Sequence, residues 1–141
     1  MKPRGVSLPR VDLWALVRLV SQRAHGGLLP TLALAAEGWL IEWWVMQAPF
    51  GLPVVSAAPG LWSASVQAVF LCQVAAPGGF AQGQGTVFCS ATEPRIDFER
   101  GRRLALDRAL KQAGSPFTRA MRLEVWRHFE GHFGEKGKAY G

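Results

Sequence analysis

The middle of the chain, residues 43–92, contains no Asp, Glu, Lys, Arg or His and reads WWVMQAPFGLPVVSAAPGLWSASVQAVFLCQVAAPGGFAQGQGTVFCSAT. The acidic, basic and histidine side chains all lie before or after this segment. Short runs of β-branched and aromatic residues separated by Pro and Gly are typical of strands joined by turns. We therefore predict that the uncharged middle forms a sheet on which the charged flanking segments pack as helices.

The clearest strand is predicted over residues 62–74, because its even positions are apolar and its odd positions are mixed. Residues 31–36 and 39–47 are predicted to pair as a hairpin across a Glu37-Gly38 turn. Residues 49–60 are marked as a loop by Pro and Gly, and residues 77–85 as a glycine-rich connection. Residues 86–91 are predicted to form the last strand.

Three helices are expected around this sheet. The first is predicted over residues 11–23 and ends at Gly26-Gly27. The second follows Asp97 as its N-cap, and small residues on one face would let it approach the sheet closely. Ser115-Pro116 is predicted to open the third, which runs to about residue 133.

The predicted fold class is therefore α+β. It has an N-terminal helix, an antiparallel meander sheet of three to four strands, and two C-terminal helices packed on the sheet. Short connections predict that the helices cover one face of this sheet. Residues 1–141 are predicted to form a single domain, with residues 135–141 as a short flexible C-terminal tail.

Composition limits the classes of partner. The net charge of +6 and the pI near 10.2 favour a polyanionic or acidic partner. No secretory signal follows the basic N-terminus, and no apolar run reaches the roughly 18 residues of a membrane span. Cys72 and Cys89 fit no metal-binding spacing. These features predict a cytoplasmic protein without membrane contact.

Catalytic and metal-binding patterns are weak. Glu124, His128 and His132 share one helix face, but the sequence HFEGH is not the H-E-x-x-H of zinc proteases. We therefore expect a solvated helix end and no metal. There is no G-x-S-x-G motif, and the glycine-rich residues 78–85 lack the Lys of a phosphate-binding loop. The sequence predicts a non-enzymatic protein with no catalytic residue and no cofactor.

Two sets of residues are candidates for contact with a partner. Trp43 and Trp44 are adjacent, so on a strand they point to opposite faces, and one of them is either covered by a loop or exposed as an interface. The basic residues of the two C-terminal helices form the second set. It comprises Arg100, Arg103, Arg108, Lys111, Arg119 and Arg122. A solvated helix face is the commoner role of such residues, and contact with phosphates is the alternative.

Residues 89–110 read CSATEPRIDFERGRRLALDRAL. This segment resembles a pattern in small proteins of tailed phages, in which a strand ending in Cys-Ser leads through a turn and an Asp-Phe step into a helix. The matching residues are Cys89, Ser90, Asp97, Phe98, Gly101, Arg102, Ala105, Leu106, Arg108, Ala109 and Leu110. Together with the Arg-rich, Asn-free composition, the resemblance implies an early protein of a phage that infects a thermophilic bacterium.

The resemblance also implies a partner, the host RNA polymerase, contacted at the β-flap and σ region 4 inside the host cell. The function expected on this basis is a non-enzymatic transcription regulator that inhibits or redirects promoter-dependent initiation. The alternative is a protein that binds nucleic acid weakly and directly through its basic helix face.

Overall fold

The elements follow the order β1–α1–β2–β3–β4–β5–α2–α3 in a computed structural model that describes residue 8 and residues 10–51 and 63–134. The predicted α+β class is confirmed: an N-terminal helix precedes an antiparallel sheet, and two later helices pack on that sheet. The strands are β1 (Arg10–Asp12), β2 (Leu32–Ala36), β3 (Trp39–Gln47), β4 (Ser63–Ala75) and β5 (Gln82–Ser90). The helices are α1 (Leu13–His25), α2 (Phe98–Lys111) and α3 (Arg119–Phe129), and a π-helical turn, Glu130–Gly134, follows α3.

Strands β2 to β5 form the predicted antiparallel meander, each paired with the next along the chain. The β2–β3 turn lies at Glu37 and Gly38, as expected, and both have positive φ angles, 49° and 90°. The three-residue β1 was not predicted. It pairs with the first residues of β4, with Arg10 opposite Ser65. Residues 52–62 lie outside the described residues. They include most of the predicted loop, residues 49–60, and Trp62, the first residue of the predicted strand.

A β-bulge at Gln67 divides β4 into two parts. Val66 lies opposite Ser90 and Ala68 opposite Cys89, so Gln67 is the extra residue. Its side-chain amide donates to the carbonyl oxygens of Ser90, at 2.8 Å, and Glu93, at 3.0 Å. An extra residue reverses which face the following side chains occupy. The single apolar face predicted across residues 62–74 is therefore split between two faces.

Each face of the sheet carries its own hydrophobic core. On one face Leu16 and Val20 of α1 cluster with Trp44, Val66 and Leu71. The other face packs against α2 and α3, and its buried side chains include Ile41, Trp43, Phe70, Cys72, Val74, Leu106, Leu110, Val125 and Phe129. The prediction that the helices cover one face is therefore wrong, because α1 packs on the face opposite α2 and α3.

Strand β5 begins at Gln82, inside the segment that was predicted to be a glycine-rich connection. Gly83 and Gly85 are buried against α2. A Cβ atom on Gly83 would overlap the carbonyl oxygen of Ala109, and one on Gly85 would overlap backbone atoms of Ala105 and Ala109. Glycine is required at these two strand positions, because the backbone of α2 lies too close to β5 to leave room for any side chain.

Helices α2 and α3 each begin directly after a residue whose side chain accepts a hydrogen bond from a backbone N–H of the first turn. Asp97 is the N-cap of α2, as predicted, and accepts from the backbone N–H of Arg100 at 3.0 Å. The N-cap of α3 is Thr118, not Ser115. The hydroxyl of Ser115 instead donates a hydrogen bond to the carbonyl oxygen of Leu110 at 2.8 Å. It thereby supplies a partner for one of the last carbonyl groups of α2, which have no partner within the helix. The predicted tail, residues 135–141, lies outside the described residues.

Candidate interaction surface

Both tryptophans that were predicted to bind a partner are buried. Trp43 is 0 % exposed and its indole N–H donates to the carbonyl oxygen of Arg102 at 3.0 Å. Trp44 is 3 % exposed and donates to the carbonyl oxygen of Leu28 at 2.9 Å. The two side chains do point to opposite faces, but each face has a helical layer. Neither indole forms an exposed interface, so the expectation of a surface anchor at these residues is corrected.

Arg103 connects α2 to the segment after α3. Its guanidinium group is 3.0 Å from the carboxylate of Glu130 and 3.6 Å from that of Glu99. It also lies over the ring of Phe129, 5.0 Å from the ring centroid. A cation held by two carboxylates and an aromatic face serves the packing of the helices. Arg103 was predicted to face a partner, and the structure gives it an internal role.

Three more of the predicted basic residues have intramolecular contacts. Arg108 donates to the carbonyl oxygen of Thr86 at 2.8 Å, and Arg122 donates to that of Phe117 at 2.9 Å. Lys111 forms an i,i+4 ion pair with Asp107 at 3.1 Å. This last pair is exposed and contributes at most about 0.5 kcal/mol.

Arg100 and Arg119 remain available to a partner. Both are exposed, and neither side chain has a hydrogen-bond or ion-pair partner among the residues that the structure describes. Arg95, which follows β5 and was not among the predicted contact residues, is exposed in the same way. Arg95 and Arg100 lie together, whereas Arg119 is at the start of α3.

Arg95 and Arg100 border a groove of about 200 Å³, which we call the α2 groove. It runs between β5 and the N-terminal half of α2. Its lining includes Phe70, Val87 and Leu104, whose side chains belong to the core under α2, and Gly101. Glu93 and Asp97 also line it, and the carboxylate of Asp97 is occupied by its N-cap hydrogen bond. The groove thus offers an apolar floor with cationic groups at its border.

The thiol of Cys89 also lines the α2 groove. Burial and the negative charge of Glu93 raise its pKa, and a hydrogen bond with Gln67 opposes this effect. Burial, with a smaller effect of Glu42, raises the pKa of Cys72 well above its ordinary value. Both groups are therefore thiols at neutral pH, and a thiol is a poor nucleophile compared with a thiolate. Cys89 contributes to the groove as a small apolar surface.

Some of the residues that line the α2 groove could be identified from the sequence. Cys89, Arg95, Arg100 and Gly101 all lie in the segment that carries the phage-protein resemblance. The floor residue Phe70 comes from β4, however, and its ring lies against Gly101 only because the helix crosses the sheet there. That crossing position is a property of tertiary packing, which the periodicity of one segment does not specify.

Among the described residues, no helix has both the length and the apolar character needed to cross a bilayer. Comparison with protein-family models finds no match, and neither the curated proteins nor the solved structures contain a significant match to this chain.

Proposed function

We propose that the protein is a non-enzymatic, phage-encoded regulator that binds the RNA polymerase of its bacterial host and inhibits or redirects promoter-dependent initiation. The α2 groove is the proposed contact surface, and the β-flap and σ region 4 are the proposed targets. The choice of polymerase rests on the resemblance of residues 89–110 to small tailed-phage proteins. The choice of groove rests on its geometry.

The proposal is supported by an apolar floor that lies beside Arg95 and Arg100, whose guanidinium groups have no polar partner among the residues that the structure describes. An apolar side chain from a partner would bury surface against Val87 and Leu104. Carboxylates flanking that side chain would pair with Arg95 and Arg100, whose planar guanidinium groups suit bidentate contacts. A protein segment with an apolar residue between acidic residues satisfies both requirements, whereas a phosphate backbone satisfies only the second.

The alternative function is direct nucleic-acid binding through the basic helix face. The net charge of +6 favours it, as does the exposure of Arg100 and Arg119. Against it, four of the six predicted basic residues have intramolecular contacts, and Glu93 and Asp97 lie at the groove.

Binding to purified RNA polymerase holoenzyme of a thermophilic bacterium tests the proposal. The labelled protein should bind, measured by fluorescence anisotropy, and the double variant Arg95→Glu/Arg100→Glu should bind at least about tenfold more weakly, as expected when two contact residues are reversed. The matched control is Arg18→Glu/Arg23→Glu, which changes the charge equally on exposed positions of α1. Equal loss in both double variants, or no binding by the wild type, would contradict the proposal.

A reconstituted transcription assay separates the two functions. The wild-type protein should reduce or redirect initiation at promoters that need σ contact with the upstream element. It should do so at a salt concentration at which it no longer binds free duplex, because apolar burial resists screening. Tight duplex binding without any effect on transcription would favour the alternative.

A further inference from the structure

The turn between β2 and β3 meets α3 at a cluster of three side chains that can ligate metals, Glu37, Glu124 and His128. The Nε2 atom of His128 is 3.8 Å from Oε1 of Glu37 and 3.9 Å from Oε2 of Glu124. One ligand atom from each residue lies within 4.8 Å of the other two. The cluster joins two elements that are far apart in sequence.

Within this cluster, the imidazole of His128 is nearly buried, and its Nε2 atom lacks a hydrogen-bond partner among the described residues. The side chain is 11 % exposed, and the Nε2 atom itself is buried. A buried polar atom without a hydrogen-bond partner is destabilising, because it loses the hydrogen bonds to water that it makes in the unfolded chain. The carboxylate oxygens at 3.8 and 3.9 Å are too far away to satisfy it. These distances leave space for an ion between the nitrogen and the two oxygens.

The remaining contacts orient the other ligands. Oε2 of Glu124 accepts a hydrogen bond from the indole Nε1–H of Trp39 at 3.1 Å. Hydrogen bonds of this kind from outside the coordination shell fix ligating carboxylates in metal sites. Glu124 and His128 are one helical turn apart, so α3 presents them on the same face.

We propose that Glu37, Glu124 and His128 bind one divalent transition-metal ion, with Zn²⁺ as the preferred ion. Zinc takes imidazole nitrogen and carboxylate oxygen at about 2.0–2.2 Å, so two ligand atoms of a tetrahedral ion are about 3.4 Å apart. The separations of 3.8 Å and 3.9 Å from Nε2 are about 0.4–0.5 Å longer than this, a difference that small side-chain rotations remove when the ion binds. Three protein ligands leave one coordination position for water. The bound ion links the β2–β3 turn, through Glu37, to α3, through Glu124 and His128.

This site replaces the metal-free helix end expected from the sequence. That expectation considered Glu124, His128 and His132 on one helix face. The structure supplies a different third ligand, Glu37, from a turn that the sequence pattern does not place near α3. His132 is not a member of the cluster; its ring packs against Phe133, with 5.0 Å between the centroids.

Calorimetric titration of the chelator-treated full chain with Zn²⁺ alone tests the site. We expect one ion per chain and a thermal midpoint that rises with Zn²⁺ concentration, because the ion binds the folded state. Glu37→Gln and His128→Gln should each weaken binding at least about tenfold. His132→Ala and His25→Ala are the matched controls, since each removes a histidine outside the cluster, and both should bind like the wild type.

Co²⁺ gives a second readout that does not depend on stability. The Co²⁺-loaded wild type should show visible absorption bands, and these bands should be lost in His128→Gln and kept in His132→Ala. Absence of saturable binding by the wild type, or equal loss in His132→Ala, would overturn the site. A gain in stability on acidification without any response to Zn²⁺ would assign the cluster to a histidine–carboxylate ion pair and would also overturn it.

Discussion

At the scale of single residues, glycines determine how closely α2 approaches the sheet. Gly101 on the helix lies against the ring of Phe70, and Gly83 and Gly85 on β5 lie against the helix backbone. The sequence shows the small residues of α2 as a stripe, and this stripe predicted a close approach. It does not show that β5 complements the stripe with glycines, because Gly in such a segment more often marks a turn.

The substitution Gly101→Leu should destabilise the protein by about 1–3 kcal/mol, because overpacking a filled core displaces side chains and backbone. Even the first added atom, Cβ, would overlap the ring of Phe70. Urea unfolding followed by circular dichroism measures the change. Gly131→Leu is the matched control, since an added Cβ there meets no atom within 4 Å. Equal midpoints for the Gly101 variant and the wild type would show that this face is not packed.

Cys72 should make stability depend on alkaline pH. Burial raises its pKa in the folded state, so the folded protein holds the thiol proton more tightly than the unfolded chain does. The associated stability is complete below the unfolded thiol pKa of about 8.5 and is lost as the pH rises above it. The thermal midpoint of the wild type should therefore fall more between pH 7.5 and pH 10 than that of Cys72→Ala. Identical pH profiles for the two proteins would exclude this role of the thiol.

At the scale of elements, α2 covers the outer edge of β5 as well as its face. Gln84 and Thr86 have the same parity along an antiparallel strand, so their backbone groups point to the same side. The N–H of Gln84 donates to Oε1 of Gln112 at 3.2 Å, and the carbonyl of Thr86 accepts from Arg108 at 2.8 Å. An uncovered strand edge is a template for pairing with another chain. These two side chains therefore block such pairing.

The double variant Arg108→Ala/Gln112→Ala should consequently self-associate as its concentration rises, with a small change in stability. Analytical ultracentrifugation across a concentration series measures the association. The matched control, Asp107→Ala/Lys111→Ala, removes the exposed ion pair from the same helix and should remain like the wild type. Unchanged sedimentation of the first variant would show that the edge is protected by other means.

Several elements were predictable because their sequence features are local. The hairpin of β2 and β3 follows from the Glu37-Gly38 turn between apolar runs, and α2 follows from its Asp97 cap. The missed features depend on non-local contacts. Strand β1 is defined by the pairing of Arg10 to Asp12 with β4. The bulge at Gln67 is defined by the register between β4 and β5, which the sequence of β4 alone does not specify.

At the scale of the whole molecule, the candidate site was predicted only in part for the same physical reason. Helical periodicity identifies the side of α2 that faces away from the sheet. It does not show that Glu130 lies within reach of Arg103, or that the edge of β5 lies within reach of Arg108. Arg100 remained exposed as predicted, whereas Trp43 and Trp44 became interior residues because the sheet carries helices on both faces.

The internal use of these cations leads to a prediction for the molecule's affinity for DNA. Of the six predicted basic residues, Arg100 and Arg119 have no intramolecular polar partner among the described residues. If these two supply the phosphate contacts, random duplex should bind weakly. The slope of log affinity against log salt concentration should be near −2, at about −0.9 for each neutralised phosphate. Fluorescence anisotropy over a salt series measures this slope.

The double variant Arg100→Glu/Arg119→Glu should abolish the residual duplex binding, whereas Arg18→Glu/Arg23→Glu on α1 should weaken it only through net charge. A dedicated nucleic-acid binder with about six phosphate contacts would instead give a slope near −5. A slope that steep, lost in the Arg100/Arg119 variant, would mean that the internally paired arginines exchange their partners for phosphates. The basic helix face, and not the α2 groove, would then be the functional surface, and nucleic acid would replace polymerase as the target.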